Sequence, residues 1–131
     1  DLLLEDRSID ILAYNIETVI AEKLETIISR SIANTRMRDF YDIYILLEVQ
    51  GHNIDKSLLT DAVIATAERR GSSNILLEGN LILKEVFSSD ILYTHWTRYQ
   101  KKYIYAKDIS WGEIKEAVFK IWSSLDIPSK I

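Results

Sequence analysis

Apolar residues recur three and four positions apart along most of the chain, the spacing of helices that bury one face. From Ile16 to about Arg30 the inward positions are Ile16, Val19, Ile20, Leu24, Ile27 and Ile28, and Asn15 is placed to cap the helix. A second helix is predicted from near Thr35, carrying Met37, Phe40, Ile43, Tyr44 and Leu47 inward. The stretch GHNID reads as a turn, after which Asp55 can cap a helix with Leu58, Leu59, Ala62, Val63 and Thr66 that ends at Gly71. GSSN reads as a loop, and residues 76–87 as helix, although NILLEGNLIL admits a short extended piece. Asp90 can cap the next helix, in which Leu92, Trp96, Tyr99 and Tyr103 form a stripe. Ser110 with Glu113 is a capping box for a last helix bearing Ile114, Val118, Ile121, Trp122 and Leu125. With four glycines and one proline, Pro128, little interrupts these patterns. The pattern predicts an all-α domain of about six helices, and only residues 2–13 admit a short strand.

Several charges do not fit their faces. On a wheel of about 100° per residue, Lys23 falls inside the apolar arc of the first helix near Ile16, and Glu17 falls between Leu24 and Ile28. Glu22 and Glu25 point away and read as solvated charges. On the second helix Asp39 sits at the edge of the apolar arc, Asp42 further out on the same side, and Arg36 toward the apolar side at the helix start. An unpaired buried charge costs several kcal/mol, so these groups should be paired or face a cleft. One account is a structural Lys23–Asp39 ion pair with a snorkelling lysine. The other is a cleft in which Lys23, Arg36 and Arg38 hold phosphate and Asp39 acts as base or metal ligand. Periodicity leaves both open.

Composition narrows the partners. The 131 residues are 47% hydrophobic, enough for a single domain with a core. A net charge of −4 excludes a polycation, so nucleic-acid contact must be local. The absence of cysteine removes disulfides and thiolate chemistry and suits a reducing cytoplasm. No apolar run approaches the roughly 20 residues that span a bilayer, so no membrane partner is expected. His52 and His95 lie far apart with no second ligand at helical spacing, so no metal site is expected within the chain. The stretch YTHWTRYQKKYIYAK interleaves aromatic and basic residues as a base-stacking platform does. The wheel instead turns Trp96, Tyr99 and Tyr103 inward and leaves Arg98, Lys101, Lys102 and Lys107 as a basic face, a candidate RNA contact. Arg69 and Arg70 complement a helix C-terminus.

The stretch YNIETVIAEKLETIISRSIANTRMRDFYDIYIL resembles the signature of the AbiEii family, nucleotidyltransferase toxins of abortive-infection and type IV toxin–antitoxin systems. The resemblance rests on Glu17, Ala21, Glu22, Lys23 and Leu24, then Arg36, Arg38, Asp39, Tyr41 and Asp42. TAERRG and HWTRYQKKYIYAKDISWGEI extend it over nearly the whole chain. Arg38 stands where the family usually has lysine, a fork in place of a point charge. The family's glycine-serine turn and metal-holding carboxylates have no counterpart before Ile16, and the chain opens within an apolar run, so it reads as the C-terminal helical half of a longer protein.

The resemblance implies transfer of a nucleotide from an NTP, with Mg²⁺, to an RNA acceptor, in known members the 3′ end of tRNA, and a cognate antitoxin in the same operon. Under it Lys23 contacts the triphosphate, Asp39 completes the catalytic site, Arg36 and Arg38 bind phosphate, and Glu17 and Asp42 support them. Alone, this half is expected to be inactive and to bind neither Mg²⁺ nor NTP. The rival is a non-catalytic helical module that binds a protein or nucleic acid. Neither nucleotide nor acceptor is encoded in a motif.

Overall fold

The computed structural model describes residues 15–127. The stretch that admits a strand, and Pro128, lie outside the described residues. Among those residues the fold is all-α: α1 (Ile16–Arg30), α2 (Met37–Gln50), α3 (Lys56–Arg70), α4 (Ser73–Leu76), α5 (Gly79–Ser88), α6 (Asp90–Lys102) and α7 (Trp111–Ser123). Short 3₁₀ turns occupy Ser31–Ala33, Gly51–Asn53 and Ile104–Ala106. The single-turn α4 is the addition to the predicted set, and the stretch that admitted an extended piece is helix and turn throughout.

The ends obey side-chain chemistry. Asn15 accepts the amides of Glu17 and Thr18, Asp55 that of Leu58, and Ser110 and Glu113 cap each other reciprocally. Gly71 ends α3 at φ 74°, a left-handed position that suits glycine. One expected cap is corrected: Ser89, not Asp90, accepts the Leu92 amide, and Asp90 becomes the first helical residue. Its carboxylate still complements the dipole there.

α1 is the central element. It packs most extensively on α3, then on α2, and also meets α4 and α5. Ile20, Leu24 and Ile27 on it are fully buried. Because neighbours cover more than its apolar arc, polar positions are buried too. Glu25, expected in solvent, is only 3% exposed. Its carboxylate binds Arg70 and accepts from the Ser72 hydroxyl at 2.6 Å. Arg70 also donates to the Thr26 hydroxyl at 3.0 Å, so it ties α3 to α1 rather than merely facing a helix dipole. Committing Ser72 to Glu25 leaves α4 without a side-chain cap, in keeping with its single turn.

Aromatic rings from α2, α5, α6 and α7 meet on the other side. Trp111 packs on Phe40 at 5.1 Å and on Phe87 at 4.8 Å between ring centres. Trp96, 1% exposed, donates its indole N–H to the Ile109 carbonyl at 2.9 Å. This satisfied polar handle fixes α6 against the start of α7. α2 thereby lies between α1 on one side and α6 and α7 on the other.

Candidate functional site

Lys23 enters from the middle of α1 and the acidic residues from the first turns of α2. The connecting segment turns the chain back, and the Asn34 side chain accepts the Arg36 amide at 2.9 Å where α2 begins. Lys23 Nζ lies 2.9 Å from Asp42 Oδ2 and 3.6 Å from Asp39 Oδ1. Arg38 Nε stands 3.8 Å from the same Asp42 oxygen. The Asp39 and Asp42 side chains are 8% and 4% exposed, against 24% for Lys23. The expected Lys23–Asp39 pairing is therefore present but shared, and Asp42 is the nearer partner. Its expected position further out is corrected: a lysine stem is long enough to reach past Asp39 and draw Asp42 into the interface.

Two cations, Lys23 and Arg38, face two carboxylates, so the cluster is formally balanced. Its members differ in what they have left to offer. Asp39 Oδ2 is buried with no hydrogen-bond partner among the described residues. A buried carboxylate oxygen without a donor is costly, and such exceptions are worth a functional reading. It can accept a proton or a hydrogen bond. Lys23 keeps a quarter of its side chain in solvent and can turn its ammonium toward an arriving anion.

The other predicted residues divide. Glu17 is buried, but it lies six residues before Lys23, about 9 Å along the axis and roughly 240° around it. There its carboxylate accepts the Asp55 amide at 2.8 Å, at the entry to α3, and it does not reach the Lys23 cluster. Arg36, expected toward the apolar side, is exposed at the N-cap position of α2. It lines a shallow, open groove of about 390 Å³ with Arg38, Arg98, Lys102, Tyr99 and Tyr103, beside Thr35, Met37 and His95. Lys101 lies in an adjoining groove that shares Lys102 and includes Lys107.

The structure thus joins the arginines of α2 to the basic face of α6, which the linear reading keeps separate. Tyr99 and Tyr103, expected inward, are half-buried and form the groove wall. Tyr99 and Tyr105 share a hydroxyl hydrogen bond at 2.6 Å, and Tyr41 packs on Tyr105 at 4.6 Å. Burial above all, with the Tyr105 contact, pushes the Tyr99 phenol far up. The signal for this wall was the interleaving of tyrosines and cations in RYQKKYIYAK.

Among the described residues no three histidine, aspartate or glutamate side chains stand close enough to hold a metal ion. Asp39 and Asp42 do not fit Mg²⁺ by themselves, since the Lys23 ammonium already lies against both. No helix among the described residues is long and apolar enough to cross a membrane.

Residues 1–118 match the family model described as nucleotidyl transferase AbiEii toxin, type IV TA system. Neither the curated proteins nor the solved structures compared with the chain include a match. The family match takes in α1, α2 and the motif residues Lys23, Arg36, Asp39 and Asp42, and ends within α7. The chain belongs to the AbiEii family of nucleotidyl transferase toxins of type IV toxin–antitoxin systems.

Proposed function

We propose that this chain forms the helical half of a site that transfers a nucleotide from an NTP to an RNA acceptor, with the 3′ end of tRNA as the preferred acceptor class. The observation that carries this is the Lys23 cluster: the lysine of one motif meets both aspartates of the other, and Asp39 keeps one buried oxygen unengaged. The acceptor hydroxyl oxygen attacks the α-phosphorus, a new P–O bond forms, and the bond to pyrophosphate breaks. Lys23 turns from the carboxylates to the triphosphate oxygens and offsets their charge. Asp39 Oδ2 takes the proton of the attacking hydroxyl. Asp42, paired with Arg38, remains behind and holds the first turn of α2 in place. Arg36 and Arg38 offer guanidinium forks to acceptor phosphates. Mg²⁺ would supply charge neutralisation of the triphosphate, and Asp39 and Asp42, held by Lys23, would not be its ligands. On this reading residues 1–131 are one helical domain of a longer cytoplasmic protein, restrained by an antitoxin, and are inactive alone.

The rival, a non-catalytic module with a structural ion pair, is favoured by one observation, the 2.9 Å Lys23–Asp42 contact. The test is incorporation of label from α-phosphate-labelled NTPs into RNA by the protein expressed with its upstream coding segment. Labelled RNA is the expected result. Absence of label with all four NTPs, in a preparation shown to be folded, would contradict the proposal.

A further inference from the structure

The groove between the start of α2 and α6 has a composition that phosphate binding alone does not explain. Four cations, Arg36, Arg38, Arg98 and Lys102, line it, in a chain whose net charge is −4. No carboxylate is among its lining residues. Arg38 remains 59% exposed in spite of its contact with Asp42. The positive wall continues into the adjoining groove through Lys102 to Lys101 and Lys107.

The second ingredient is aromatic. Tyr103 ends α6 in extended backbone, which carries its ring off the helix and beside Tyr99, 4.6 Å between centres. Tyr105 adds a third ring 5.3 Å from Tyr103, and the Tyr99–Tyr105 hydroxyl bond ties the set together. The Lys102 ammonium lies 5.4 Å from the Tyr103 ring centre, so a hydrated cation reaches that face. A flat, uncharged ring system can take the same position, releasing Lys102 toward a phosphate. Cations along a groove with tyrosines among its lining residues are the elements of single-strand binding, where phosphates meet the cations and bases stack on the rings. A base inside a duplex is stacked on both faces and cannot meet Tyr103, whereas an unpaired base can.

We infer that this groove binds an unpaired RNA strand, with a base stacked on Tyr103 and neighbouring phosphates on Arg36, Arg98 and Lys102. The inference rests on the transfer reading only for the choice of RNA as occupant. It gives the acceptor a track along α6 to Arg36 and Arg38 at the start of α2.

The experiment is fluorescence-anisotropy titration of the 131-residue chain with a labelled oligouridylate, a blunt RNA duplex, ATP and polyglutamate, repeated over a range of salt. The single strand should bind more tightly than the duplex, and ATP should not displace it at concentrations comparable to the strand. Arg98→Ala should weaken binding and lower the salt slope by about one. Tyr103→Ala should weaken it by about tenfold with the slope unchanged, and Tyr103→Phe should bind as the parent chain does. Tyr103 is half-buried, so circular dichroism and a melting curve accompany each variant, and Tyr103→Phe carries the comparison if the alanine variant is unfolded: full affinity is then required. Equal affinity for duplex, Tyr103→Ala binding like the parent, displacement by ATP, or preference for polyglutamate would each overturn the inference. Binding needs no catalysis, so strand binding without NTP incorporation would indict the transfer reading and leave the groove assignment standing, and the converse result would do the opposite.

Discussion

Replacing Lys23 with alanine should both destabilise the domain and stop nucleotide transfer, and the two effects are separable. The ammonium faces two carboxylates that are 8% and 4% exposed, and its removal leaves them without that charge. For a fully buried pair such a loss costs about 3–5 kcal/mol. Lys23 is about a quarter exposed and Asp42 retains Arg38, so water and the guanidinium screen the remainder. The expected cost is about 2 kcal/mol, a fall in Tm of roughly 6–10 °C by thermal melting. Transfer should fall much further than the folded fraction does. Lys23→Arg separates the two roles, because a guanidinium restores charge to the carboxylates but cannot place a point charge on the triphosphate. It should recover most of the Tm and little of the activity. If activity instead tracks the folded fraction in both variants, the lysine is structural.

Gly79→Ala should meet the hardest clash of any alanine substitution among the four glycines. Gly79 opens α5 directly beneath Trp122 of α7, and an added Cβ lands on the indole ring, 2.5 Å from Cη2 and 3.2 Å from Cε2. The ring has little freedom to withdraw: it is 8% exposed and its N–H is held by the Asn80 side chain. Overpacking of this kind costs about 1–3 kcal/mol, well above the few tenths gained from alanine's helix propensity at a first-turn position. Urea denaturation should show a lower midpoint at unchanged slope. Adding Trp122→Phe to Gly79→Ala should return part of the loss, since the two positions are in contact and their effects do not add. A Gly79→Ala protein as stable as its parent would show that α5 and α7 are not packed this closely.

The helices were legible in the sequence because three- and four-residue spacing is a local property, and so were the caps at Asn15, Asp55 and Ser110. Asp90 misled because Ser89, one position earlier, is an equally good cap and the choice depends on where the chain leaves α5. Glu25 misled for a tertiary reason: its wheel position is polar, yet α3 and the turn into α4 cover that side of α1 and supply Arg70 and Ser72 to meet it. Lys23 and Asp39 could be found as charges in or beside an apolar arc. Asp42 as the closer partner could not, since that depends on the approach of α1 to α2 and the reach of a lysine. The groove was half legible. Its cations and tyrosines were visible in RYQKKYIYAK, but their meeting with Arg36 and Arg38 follows from the packing of α2 against α6, which no local pattern encodes.

That Asp39 acts in transfer, rather than only balancing Lys23, is tested most directly by the single-turnover rate of label transfer from NTP to RNA for Asp39→Asn, in the preparation that shows transfer. Asparagine keeps the shape and leaves Lys23 its nearer partner Asp42, so Tm should change by no more than a few degrees. Loss of a proton acceptor lowers rates by about 10²–10⁴, and a fall in that range at unchanged Tm is the predicted result. A rate close to that of the parent protein, in an equally folded variant, would contradict the account.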